Sequence, residues 1–98
     1  MLNDKRTLRW SDVGDEVVVL DDQAGELFRF SAEAGFIWKQ LQEGISAAGI
    51  SAALVREFAV DAASAQRDVR VFLQRLDDLD LRDGARIERL KPKEMAHD

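Results

Sequence analysis

The run Glu26-Leu27-Phe28-Arg29-Phe30-Ser31-Ala32-Glu33-Ala34-Gly35-Phe36-Ile37-Trp38-Lys39-Gln40-Leu41 changes its hydrophobic period at Ser31. Before that point Phe28 and Phe30 share one face with Glu26 while Leu27 and Arg29 take the other, the alternation of a strand. After it Ala34, Ile37, Trp38 and Leu41 recur at i, i+3, i+4 and i+7, the stripe of an amphipathic helix. Ser31 is placed to cap that helix and Gly44 sits just past its end. A strand with one apolar side thus runs straight into a helix able to cover it.

Toward the N-terminus, residues 7–10 and 16–20 are rich in β-branched or aromatic residues. Asp12, Gly14 and Asp15 suit the first reversal, and Asp21, Asp22 and Gly25 the second. These segments predict an antiparallel meander of three strands. Toward the C-terminus a second helix begins after Ser46, with Ile50, Leu54 and Phe58 at four-residue spacing. Gly49 inside it costs about 1 kcal/mol against alanine, which packing must offset. A third helix follows Asp61 and carries Ala65, Val69, Phe72, Leu76 and Leu79 on one stripe. The expected fold is α+β and winged helix-turn-helix-like: a three-stranded antiparallel sheet followed by three helices, over residues 1–81. Residues 82–98 are charged, with Gly84 and Pro92, and only Ile87 and Leu90 are able to dock, so the expectation there is a loose tail.

Composition narrows the function. A chain of 98 residues, 46% hydrophobic and 34% charged, holds one core. Cysteine is absent, which excludes disulfides, thiolate metal sites and cysteine nucleophiles and leaves packing to hold the fold. The only histidine is His97 and there is no tyrosine, so histidine-based acid–base chemistry is not expected. Fourteen basic against nineteen acidic residues leave a net charge of −5, which disfavours a polyphosphate partner. No apolar run approaches the roughly 20 residues of a membrane span, and residues 1–9 lack a signal-peptide core, so the expected location is the cytoplasm. Asp77, Asp78, Asp80 and Asp83 look like a calcium loop, but Arg82 and Arg89 fall where a loop starting at Asp78 needs oxygen ligands. Neither a metal site nor a cofactor is expected.

The order Gly14-Asp15-Glu16-Val17-Val18-Val19-Leu20-Asp21, then Gly25-Glu26-Leu27-Phe28-Arg29-Phe30-Ser31, Ile37-Trp38-Lys39-Gln40-Leu41 and Glu43-Gly44 resembles the PqqD-like family, small peptide chaperones also called RiPP recognition elements. The likeness continues through Leu54, Phe58 and Val60-Asp61 to Asp68-Val69, Phe72-Leu73 and Leu76, the family's DV-xx-FL-xx-L segment. It covers roughly residues 10–81, and order and spacing carry it. Phe30-Ser31 stands where a Leu-Asn pair is common, and Leu81-Arg82 replaces a usual Gly-Leu ending.

The resemblance implies a non-catalytic chaperone of natural-product biosynthesis. It would bind the leader of a ribosomally made precursor peptide as an added strand on the third strand, gripped by the third helix, and present it to a modifying enzyme. That enzyme would be a radical-SAM enzyme or a peptidase–cyclase pair. The implied peptide contacts are Glu26, Leu27, Phe28, Arg29 and Phe30 on the strand, with Phe28 or Leu27 meeting apolar anchors and Arg29 meeting carboxylates. On the third helix the wheel points Arg67, Arg70, Val71 and Gln74 away from the buried stripe, with Val71 the unexpected apolar member. Trp38 reads as core, while Trp10 is either core or a partner contact. Two alternatives stand beside this reading: a winged-helix DNA-binding regulator presenting Arg67, Arg70 and Arg75, and an adaptor docking a larger enzyme. An open sheet edge also allows a homodimer.

Overall fold

A computed structural model describes residues 6–82 and 85–90. Three strands come first, β1 Arg6–Val13, β2 Glu16–Asp21 and β3 Glu26–Phe30, then helices α1 Ala32–Gln42, α2 Ala47–Phe58 and α3 Ala62–Asp78, and finally β4 Ala85–Arg89. The caps foreseen from the sequence are in place. Ser31 Oγ accepts from Ala34 N–H, Ser46 Oγ from Gly49 N–H and Asp61 Oδ1 from Ser64 N–H, each satisfying one orphan donor of a first turn. At the end of α1, Gly44 (φ 80°) lets Ile45 N–H reach Gln40 O and Gly44 N–H reach Leu41 O, a paired closure that requires the left-handed backbone glycine tolerates.

The sheet order is β3-β2-β1-β4. The expected meander is present, with β1 and β3 both antiparallel to β2, but the sheet has a fourth strand and is mixed. β4 comes from the segment read as a loose tail and pairs parallel to β1, Leu8 opposite Ile87 and Trp10 opposite Arg89. Its apolar content is only Ala85 and Ile87, alternating with Arg86, Glu88 and Arg89, which as sequence looks like a solvated run. Tertiary partners hold it. Arg89 lies 4.8 Å from the Trp10 ring centroid and donates at 2.7 Å to Asp12 Oδ2, while Lys39 Nζ donates at 2.8 Å to Asp12 Oδ1. The remaining tail positions, including Asp83, Gly84, Pro92 and His97, lie outside the described residues.

The helices cover one face of the sheet. Leu8, Trp10, Val17, Val19 and Phe30 point into the core and meet Ile37, Trp38, Ile50, Leu54, Val69, Phe72 and Leu76 from the helices. Aromatic contacts run through it: Trp10 to Trp38 at 6.3 Å, Trp38 to Phe30 at 5.8 Å, and Phe30 edge-on to Phe72 at 5.1 Å. Trp10 and Trp38 are therefore both structural. Gly35 is where α1 comes closest to β2, since a Cβ there would lie 2.9 Å from Val17 Cγ2 and 3.4 Å from Val17 N. At Gly49 the added carbon meets chiefly the Ile45 Cγ2 atom, at 2.8 Å.

Two outcomes follow. Gly35→Ala should destabilise by roughly 1–3 kcal/mol in urea titration, because overpacking against the short, buried Val17 outweighs a helix-propensity gain of about 1 kcal/mol. The Asp12 carboxyl is held below its ordinary pKa by the Lys39 hydrogen bond, then by Arg89, against partial burial. Its stabilising contribution is thus present above the unfolded-state pKa and lost as acidification passes the lowered folded value. Asp12→Asn should cost about 1 kcal/mol or less at neutral pH, and hydrogen exchange should show amide protection falling first in β4.

Candidate functional site

β3 is an outer strand of the sheet, so one of its edges carries backbone N–H and C=O groups with no strand partner among the described residues. The chain turns from Phe30 through Ser31 directly into α1, and the Phe30–Phe72 contact brings α3 to the same end of β3. Between α1 and α3 lies a groove of about 440 Å³. One wall is Ser31, Glu33, Ala34 and Ile37, and the other is Arg67, Asp68, Val71, Phe72 and Arg75.

On the strand the residues divide as the alternation dictates. Phe28 is half-buried against the core and Phe30 is 2% exposed, so the Phe30 side chain is structural and only its backbone can serve a partner. Glu26, Leu27 and Arg29 are exposed. Leu27, 57% exposed, stands opposite Leu20 on the face turned away from the helices. Arg29 is already engaged, its Nε and Nη2 donating to Glu16 Oε1 at 3.3 and 2.9 Å, so a peptide carboxylate would have to displace Glu16.

The α3 residues split between two flanks. Arg67 and Val71 line the groove beside α1, and Val71 is 59% exposed there. Arg70 and Gln74 face a different hollow, between α2 and α3, with Ala47, Ala48, Ser51 and Asp77, and Gln74 donates to Asp78 Oδ1 at 3.0 Å. The structure therefore does not bring Arg70 and Gln74 together with the strand residues. Successive positions around a helix lie about 100° apart, so two residues that both avoid the core can still look in different directions. Arg70 thus lines a different hollow from Arg67 and Arg75.

Three charged groove residues, Glu33, Asp68 and Arg75, are not among the peptide contacts expected from the sequence, where Arg75 enters only with the DNA-binding alternative. Arg67, Val71 and Arg75 at i, i+4 and i+8 form a single ridge, and that spacing was the available signal. Glu33 reaches across to Asp68. Glu33 Oε2 is buried with no hydrogen-bond partner among the described residues. Burial first, then the Asp68 carboxyl, raises the Glu33 pKa above its ordinary value. No cluster of metal-ligating side chains is present among the described residues, and none of their helices is long and apolar enough to cross a membrane.

The model of the family described as coenzyme PQQ synthesis protein D (PqqD) matches residues 16–81. Among solved structures, TbiB1 in complex with the TbiA(beta) leader peptide is similar at 34% identity and a TM-score of 0.73, covering 85% of this chain and 94% of that one. A lasso peptide synthetase B1 complexed with the leader peptide is similar at 24% identity and a TM-score of 0.67, covering 81% and 91%, and shares the fold. Comparison with curated proteins gives no match.

The acid pair makes a measurable prediction. A carboxyl whose pKa is raised on folding contributes stability that is fully present below its unfolded-state pKa and lost as the pH rises through the folded value. Glu33→Gln should accordingly raise the melting temperature at pH 7, with the gain shrinking as the pH falls through the carboxylate range in parallel melts.

Proposed function

Because the chain belongs to the PqqD family, we propose that it is a non-catalytic peptide chaperone that captures the leader of a ribosomally made precursor and presents it to a modifying enzyme. The observation that carries this reading is the placement of an open strand edge beside a groove walled by α1 and α3. Strand addition to β3 uses main-chain hydrogen bonds, each contributing about 1 kcal/mol net whatever the peptide's side chains, so affinity is largely sequence-tolerant. Alternate peptide side chains then enter the groove, where the exposed flank of Val71 offers apolar surface. The 34%-identical relative bound to a leader peptide supports the same use of the fold.

Within this reading Glu26, Leu27, Phe28, Arg29 and Phe30 contribute backbone to the added strand, and Arg67 and Val71 contribute side chains. Residues 1–81 form the peptide-binding unit, with β4 closing the far side of its sheet. The work is cytoplasmic and needs no cofactor. The partner enzyme is a radical-SAM enzyme or a peptidase–cyclase pair, and pairing of two β3 edges into a homodimer competes with peptide capture. Opposite sheet edges give the two tasks separate surfaces, leader on β3 and enzyme elsewhere.

Synthetic leaders from short reading frames beside the gene test this. In titrations followed by backbone chemical shifts, perturbations should concentrate in β3 and along the 67–75 flank of α3. Val71→Asp should weaken binding at least tenfold while leaving the circular dichroism unchanged, since Val71 is mostly exposed and its loss opens no cavity. A silent spectrum with every such peptide would discard the proposal.

A further inference from the structure

The groove also specifies which peptides suit it, an inference that rests on the capture reading and sharpens it. Arg67, Val71 and Arg75 stand at i, i+4 and i+8 of α3, all in the groove wall, so the groove follows the helix for about two turns. At a rise of 1.5 Å per residue the two arginines are about 12 Å apart along the axis. Neither forms an ion pair within 4 Å among the described residues, whereas Arg9, Arg29, Arg82, Arg89 and Lys39 each hold a carboxylate. The Asp61 pKa is lowered chiefly by the Ser64 backbone N–H and then by the Ser64 side chain, with the field of Arg67 a smaller contribution and no ion pair between them. Two guanidiniums thus face the groove with unused charge in a protein whose net charge is −5.

An extended peptide advances about 3.3 Å per residue and returns to the same face every second residue. Four residues therefore cover about 13 Å, close to the spacing of the arginines, and the residue midway between faces Val71. We propose that the groove selects a leader segment of the form acidic-x-apolar-x-acidic, its two carboxylates four residues apart on Arg67 and Arg75 and its apolar side chain seated on Val71. Arg75 is thereby a specificity-determining residue, paired with Arg67 as the second end of a molecular ruler. The Glu33 and Asp68 carboxyls act as the repulsive element. They line the same groove, so an acidic residue at the middle position is rejected and a continuous acidic run is a poor ligand.

The test is selection of a displayed random twelve-residue library on the full chain, followed by fluorescence anisotropy with the enriched peptides. Enrichment of acidic residues at i and i+4 around an apolar residue is the expected result. Replacing either peptide acid by glutamine, or making Arg75→Gln, should lower affinity about five- to tenfold, and the loss should shrink at high salt. Arg86→Gln, on β4, should change nothing. The charge swap is decisive: Arg75→Glu should bind a peptide carrying lysine at one acidic position better than the parent peptide. Enriched peptides that lack this spacing, or a charge swap without rescue, overturn the ruler and leave capture by β3 standing. A library from which nothing is enriched overturns both.

Discussion

The edge-to-face contact of Phe30 with Phe72, 5.1 Å between centroids, is the constraint on which the rest of the architecture depends. Phe30 is the last residue of the outer strand and Phe72 sits midway along the longest helix, so this pair sets where α3 lies relative to the open edge. Behind it, Phe30 rests on Trp38 and Trp38 on Trp10, which ties the position of α3 through α1 to the middle of the sheet. The buried Trp38 indole N–H has no hydrogen-bond partner among the described residues, a cost on the order of 1–3 kcal/mol accepted for the aromatic packing.

From that contact the binding surface follows with little further specification. A strand at the border of a sheet must leave one row of peptide groups unpaired, and a helix held against its end must leave a channel where the two surfaces diverge. The side chains in the channel are then those on one flank of α3 and on the first turns of α1. Apolar surface comes from Val71, with Arg67 and Arg75 on either side of it along the helix and the Glu33 and Asp68 carboxyls on the two walls. Such a surface supplies hydrogen bonds and shape, in keeping with a carrier of peptides.

The two borders of the sheet are built differently. β4 is short and charged, lies parallel to β1, and is fastened by the Asp12 carboxyl, which receives both Lys39 and Arg89. Arg86 and Glu88 alternate along it, the kind of composition that discourages further pairing. β3 has an exposed Leu27 and a half-buried Phe28 instead. The asymmetry makes β3 the border better suited to an added strand.

The sequence by itself determined the local elements, because their causes are local: the switch of period at Ser31, the caps Ser31, Ser46 and Asp61, and the stripe from Ala65 to Leu76 each act within a few residues. It also marked β3, Arg67 and Val71 as surface worth reading. What it left undecided depends on which elements meet. The flank of α3 that faces the strand separates Val71 and Arg75 from Arg70 and Gln74, and no helical wheel contains that information, since only the packing partner distinguishes two exposed directions. β4 was equally beyond reach, because a strand with two apolar residues is stabilised by Trp10 and Asp12, more than seventy residues distant in the chain. Tertiary structure alone brought Glu33 and Asp68 together, for a carboxyl pair exists only when two helices place its members side by side.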